Sequence, residues 1–121
     1  MSRQTMVMTV RGRKTGKAYP LVVTYIQDGE ILFCLTRAGW WKNLQGGAHV
    51  LLQLRGNIVK GFAEPVSDSS LTEQKITQIV EMNAREAKYF SILLDNQKRA
   101  DPPSVQLSAR YFQLIRIHLQ L

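Results

Sequence analysis

The sequence predicts a mainly β domain, an antiparallel barrel of about six strands with two or three short helices. Three observations predict it. Short runs rich in β-branched and aromatic residues alternate with tight turns between residues 5 and 65. Hairpin connections of that kind join antiparallel neighbours. Five or six short strands in a chain of 121 residues are best stabilised by curling into a barrel, which removes open edges. The length suits one domain over residues 1–121 with a single core.

Met6, Met8 and Val10 alternate with Thr5, Val7 and Thr9, the period of a strand. A basic loop follows, and Tyr19 to Gln27 forms strand two. Asp28-Gly29 is a hairpin signal, returning the chain as strand three from Ile31 to Thr36. Trp40 to Gln45 forms one or two helical turns, closed by Gly46-Gly47. His49 to Arg55 is strand four. Ile58 to Ala63 is strand five, which Pro65 ends. Ser70 and Glu73 fit a capping box for a helix with an Ile76, Ile79, Val80 stripe, running to about Asn83. A second helical segment runs from Arg85 to Leu94. Asp95 to Ser104, with its proline pair, is a loop. Arg110 to Leu119 is the last strand, with Tyr111, Ile115, Ile117 and Leu119 on one face.

Hydrophobic residues make up 45% of the chain and charged residues 21%, the balance of a globular domain. No apolar run approaches the roughly 18–20 residues of a membrane helix, and the N-terminus lacks a secretory signal. The lone Cys34 cannot form an intrachain disulfide, which fits a cytoplasmic setting. Net charge is +7, and all of that excess lies in residues 1–60. Such a field attracts phosphates, carboxylates, nucleic acid or an acidic membrane surface.

Two stretches carry the chemistry. Gly12-Arg13-Lys14-Thr15-Gly16-Lys17 packs cations and glycines between two strands, a setting that wraps an anion with backbone N–H donors and cationic heads. It fails as a P-loop. The Gly-x-x-x-Gly-Lys spacing is one residue short, Ala18 stands where a hydroxyl should hold magnesium, and a strand follows instead of a helix. Gly39-Trp40-Trp41-Lys42-Asn43-Leu44 supplies an aromatic platform. His49 and His118 have no second ligand at metal-like spacing, no Gly-x-Ser-x-Gly elbow is present, and Cys34 reads as a packed wall residue. The acids cluster on the helices, as solvated faces. A ligand site without an evident acid, base or nucleophile suits a protein whose cofactor carries the reaction.

Together these motifs resemble the deazaflavin-dependent nitroreductase and quinone reductase family, within the flavin-binding split β-barrels related to pyridoxamine phosphate oxidase. The resemblance is densest from Val10 to Pro65. It implies that Arg13, Lys14, Thr15 and Lys17 hold the phosphate end of coenzyme F-420 or FMN. It implies that Leu35, Thr36 and Arg37 line the ring, and that Trp41 and Asn43 close over it with Trp40 packing behind. It also implies a homodimer through the barrel. Relatives usually carry an N-terminal helical or membrane-associating segment, whereas this chain starts almost in its first strand.

The leading expectation is therefore an oxidoreductase that passes a hydride to a small acceptor such as a quinone, nitro compound or enone. Tyr25 or Tyr19 would be the proton donor if either faces the ring. The alternatives are a non-catalytic flavin carrier or sensor, and a basic barrel that stacks nucleic-acid bases. Against the last, Tyr19, Tyr25 and Phe33 share no exposed stripe with the basic residues, so no nucleic-acid partner is expected.

Overall fold

The computed structural model describes residues 5–12 and 14–120. Six strands close into one antiparallel barrel in the order β1-β2-β3-β6-β5-β4, with β4 pairing back to β1. They are β1 (Thr5–Arg11), β2 (Ala18–Asp28), β3 (Ile31–Thr36), β4 (Ala48–Leu54), β5 (Asn57–Val66) and β6 (Gln113–Gln120). A 3-10 helix, Gly39–Leu44, joins β3 to β4, and α1 (Ser69–Met82), α2 (Glu86–Phe90) and α3 (Pro102–Ala109) lie between β5 and β6. The expected fold class is the observed one.

The period of two in β1 sorts its side chains. Met6, Met8 and Val10 point inward, where Met8 pairs with Leu21 on one side and Leu52 on the other. Tyr25, Leu32, Cys34, Leu52, Ile115 and Ile117 complete the barrel interior. Gly61 is needed there: a Cβ at this position would lie 2.8 Å from Ile117 Cγ2. A second core forms outside the wall. Ile26, Phe33, Leu35 and Leu114 meet Ile76, Ile79 and Val80 of α1, with Phe90, Val105 and Phe112 filling in. The amphipathic stripe of α1 thus exists to cover one flank of the barrel.

Several boundaries differ from expectation. β5 does not end at Pro65 but runs to Val66, with Pro65 opposite Ile115. Beyond Ala63 the strand has lost its β4 neighbour and pairs with β6 alone, so the missing proline donor is tolerated at an edge. The N-cap of α1 is Asp68, whose Oδ1 accepts from the Leu71 N–H at 3.1 Å, so the helix starts ahead of the expected Ser70 cap. α2 stops at Phe90 instead of Leu94, because Ser91 turns left-handed at φ 60° and Ile92 N–H bonds back to Ala87 O. The segment expected as a loop through Ser104 contains the start of α3. Asp101 caps it by accepting from the Ser104 N–H, and Pro102-Pro103 occupy the first helical turn, where missing donors cost nothing. β6 accordingly begins at Gln113, and Tyr111 lies in the preceding turn, 66% exposed, off the buried face assigned to it.

Candidate functional site

The 3-10 helix is clamped at both ends. The Ala38 N–H donates to Thr36 Oγ1 at 3.0 Å, and Leu44 is fully buried in the barrel core. The Gly47 N–H then donates to Leu44 O at 2.8 Å. Gly47 has φ +86°, and a Cβ there would fall 2.2 Å from the Phe62 ring, so only glycine fits this exit. Trp40 and Trp41 are both half-buried and both pack against the barrel core.

The basic loop folds on itself. The Gly12 N–H donates to Lys17 O, the Gly16 N–H to Gly12 O, each at 2.9 Å, and the Lys17 N–H to Thr15 Oγ1 at 3.3 Å. Arg11 Nη1 donates to Gly16 O at 2.6 Å. The N–H groups of Gly12, Gly16 and Lys17 are thus engaged in holding the turn.

Two grooves draw on residues of the 3-10 helix. The first, of about 580 Å³, is lined by Gly12, Lys14 and Thr15 from the loop and by Lys42 and Asn43 from the helix. Asn43 Nδ2 donates to Tyr19 Oη at 2.7 Å, which ties this helix to the start of β2. The second, of about 590 Å³, runs between the Leu21–Thr24 stretch of β2, Leu35 and Thr36 at the end of β3, Trp40, and Glu86, Tyr89 and Phe90 of α2. Exposed Arg85 and Lys88 stand on its rim. Both volumes lie in the range of small-molecule sites, roughly 300–1,000 Å³.

The expected site residues distribute as follows. Lys14, Thr15 and Asn43 come together in the first groove. Lys17 lies exposed on the loop, and Arg13 lies outside the described residues. Leu35 and Thr36 line the second groove. Arg37 stacks over Tyr89, itself a lining residue of that groove, and over Phe112, at 5.8 and 5.5 Å from the ring centroids. Trp40 lines the second groove, and both Trp40 and Trp41 pack on the barrel core. Tyr19 is engaged by Asn43. Tyr25 is 3% exposed inside the barrel and lines neither groove.

Sequence reasoning missed Lys42 and the α2 wall. The signal for that wall was present: Glu86 and Phe90 are four residues apart and share a helix face, which puts Glu86 on the buried side. Instead of a solvated acid, Glu86 is 6% exposed, and the Thr24 hydroxyl donates to its Oε1 at 3.4 Å. Cys34 is buried and its thiol pKa is pushed up to about 12 by desolvation, so it stays protonated and packed. No helix among the described residues is long and apolar enough to cross a membrane.

No model of a known protein family matches the sequence, and no curated protein matches it. Solved structures do. A Listeria innocua protein given as a candidate pyridoxamine 5'-phosphate oxidase aligns with TM-score 0.62 at 16% identity, covering 98% of this chain and 85% of the other. HutZ, the heme storage protein of Vibrio cholerae, aligns with TM-score 0.64 at 17% identity, covering 99% and 84%. An F420 reductase aligns with TM-score 0.51 at 10% identity, covering 98% and 88%. The chain has the fold of the pyridoxamine phosphate oxidase-like barrels.

Proposed function

We propose that this chain is a redox protein that holds a flavin-type cofactor, FMN or coenzyme F-420, as members of the deazaflavin-dependent nitroreductase and quinone reductase family do. One observation carries the reading. A cationic groove and an aromatic groove both draw on one 3-10 helix, which suits a molecule that is anionic at one end and a flat ring at the other. Lys14 and Lys42 would hold the phosphate end, with Thr15 and Asn43 as hydrogen-bonding partners. Trp40, Leu35, Tyr89 and Phe90 would enclose the ring and exclude water from it. When bound, such a cofactor supplies hydride transfer to a small organic acceptor such as a quinone, nitro compound or enone. A homodimer through the barrel belongs to the same proposal.

A non-catalytic carrier or sensor is the second reading. The burial of Tyr25 and the engagement of Tyr19 favour it, because neither tyrosine is presented to the ring groove. Fluorescence titration of the purified protein with F-420 and with FMN tests the shared claim: saturable binding of one is expected, and binding of neither overturns it. Turnover against a panel of quinones and nitro compounds then separates enzyme from carrier.

A further inference from the structure

Glu86 is the one acid among the residues lining the aromatic groove. Around it in the groove, Leu21, Val23, Leu35, Trp40 and Phe90 are apolar, Arg85 and Lys88 stand on the rim, and Glu86 itself is 6% exposed. Burying a carboxylate costs free energy that hydrogen-bond donors must offset. The Thr24 hydroxyl supplies one donor from the opposite wall, at 3.4 Å. That distance is long for an O–H···O bond, which is usually about 2.5–3.0 Å. A carboxylate is acceptor-only and has about four acceptor sites on its two oxygens. Even with its protein partners, it can take a further donor from a ligand in the groove.

A flat heteroaromatic ring buried between Trp40 and Tyr89 brings its own polar edge out of water. A ring N–H left without an acceptor there loses a hydrogen bond it had in solvent. A ring edge of carbonyl oxygens alone meets repulsion from the carboxylate. We infer that Glu86 reads a ring N–H on the occupant of the aromatic groove. The groove therefore selects heteroaromatic rings that carry such a donor over the same rings alkylated at that nitrogen, and it sets which edge enters first. This rests on the reading of the groove as a ring site. The pyrimidine edge of flavins and deazaflavins carries one such N–H.

The test is a comparison of affinities and needs no turnover. The protein is titrated by fluorescence with FMN and N3-methyl FMN, and with F-420 and its N3-methyl derivative. For the cofactor that binds, the N–H form is expected to bind about 10- to 100-fold more tightly than the methyl form. In Glu86→Ala the two forms should bind within about twofold of each other. Glu86→Gln keeps the shape and one acceptor without the charge, so its preference should fall about 3- to 10-fold below that of the wild type. It also serves if the alanine variant does not fold. A purely structural role would weaken both forms in parallel and leave their ratio intact; that result in either variant overturns the inference. Equal binding of a parent cofactor and its methyl form to the wild type does so too, while leaving the functional reading standing. Binding of neither parent removes both.

Discussion

The two grooves have nearly the same volume, about 590 and 580 Å³, and differ in how they are built. The cationic groove draws on Gly12, Lys14, Thr15, Lys42 and Asn43, from two local turns. The aromatic groove needs β2, the end of β3, the 3-10 helix and α2, which lies more than forty residues further along the chain. Charge recognition can be written into one loop because a cation works at a distance, but salt screens it. Ring recognition needs surfaces in contact, so it waits for the whole fold. The first groove should therefore be sensitive to ionic strength and tolerant of structural damage, and the second the reverse.

The largest effect should come from removing what the two grooves share. Leu44 is fully buried and anchors the 3-10 helix on which both draw. Leu44→Ala should cost about 2–5 kcal/mol through lost burial and the cavity left behind, read as a fall in the denaturation midpoint. It should also weaken ligand binding in both grooves. A variant that loses this stability yet binds as the wild type does would show that the helix is not their common wall.

Next is the aromatic groove alone. Trp40→Ala should weaken cofactor binding about 10- to 100-fold by loss of ring stacking, with little change between low and high salt. Part of the loss in thermal stability comes with it, because Trp40 also packs on the barrel core, so binding is measured well below the melting temperature. Lys14→Ala should cost about tenfold at low ionic strength and much less near 0.5 M salt, where the screening length is roughly 4–5 Å. If the salt dependences of the two variants were exchanged, the division of labour between the grooves would be wrong.

Legibility in the sequence followed the same division. The alternation of Met6, Met8 and Val10, the hairpin at Asp28-Gly29 and the Ile76, Ile79, Val80 stripe are local signals of burial, and the barrel and its helical cover follow from them. The meeting of Lys14 and Thr15 with Asn43 does not, since the resemblance implies Asn43 at the ring and not beside the loop. What local signals do not carry is which of two adjacent tryptophans faces a groove. That depends on the packing of Leu44 and Gly47 against the barrel. Glu86 failed for a related reason. An acid beside Arg85 and Lys88 reads as a solvated face, although its spacing from Phe90 points inward, and the approach of Thr24 from β2 shows that burial directly. Pro102-Pro103 misled because the same residues end one element and begin another, and the capping Asp101 decides which.

The smallest effect supplies a control that touches neither groove. On the wall formed by β5 and β6, Arg116 donates to Glu64 Oε1 from Nε at 3.0 Å and from Nη2 at 2.6 Å, and His118 Nε2 lies 3.6 Å from the same oxygen. The hydrogen bonds from Arg116 hold the Glu64 carboxyl below its usual pKa, with smaller contributions from the Arg116 charge and from His118, against a modest opposing cost of desolvation. A carboxylate whose pKa is lower folded than unfolded adds stability above its unfolded value, near pH 4.3, and loses it as pH falls through the folded value. The pair is about one-third exposed, so screening limits the contribution to about 0–1 kcal/mol. Arg116→Gln should therefore lower stability slightly at pH 7, and the gap from the wild type should close as the pH drops below about 4. High salt should shrink it at every pH. Urea midpoints taken from pH 3 to pH 7 measure this directly. A gap of constant size across that range would mean that Arg116 acts through the packing of its stem and not through Glu64. A loss of cofactor affinity at pH 7 would mean that this wall is coupled to the grooves, and the separation drawn between them and the rest of the barrel would fail.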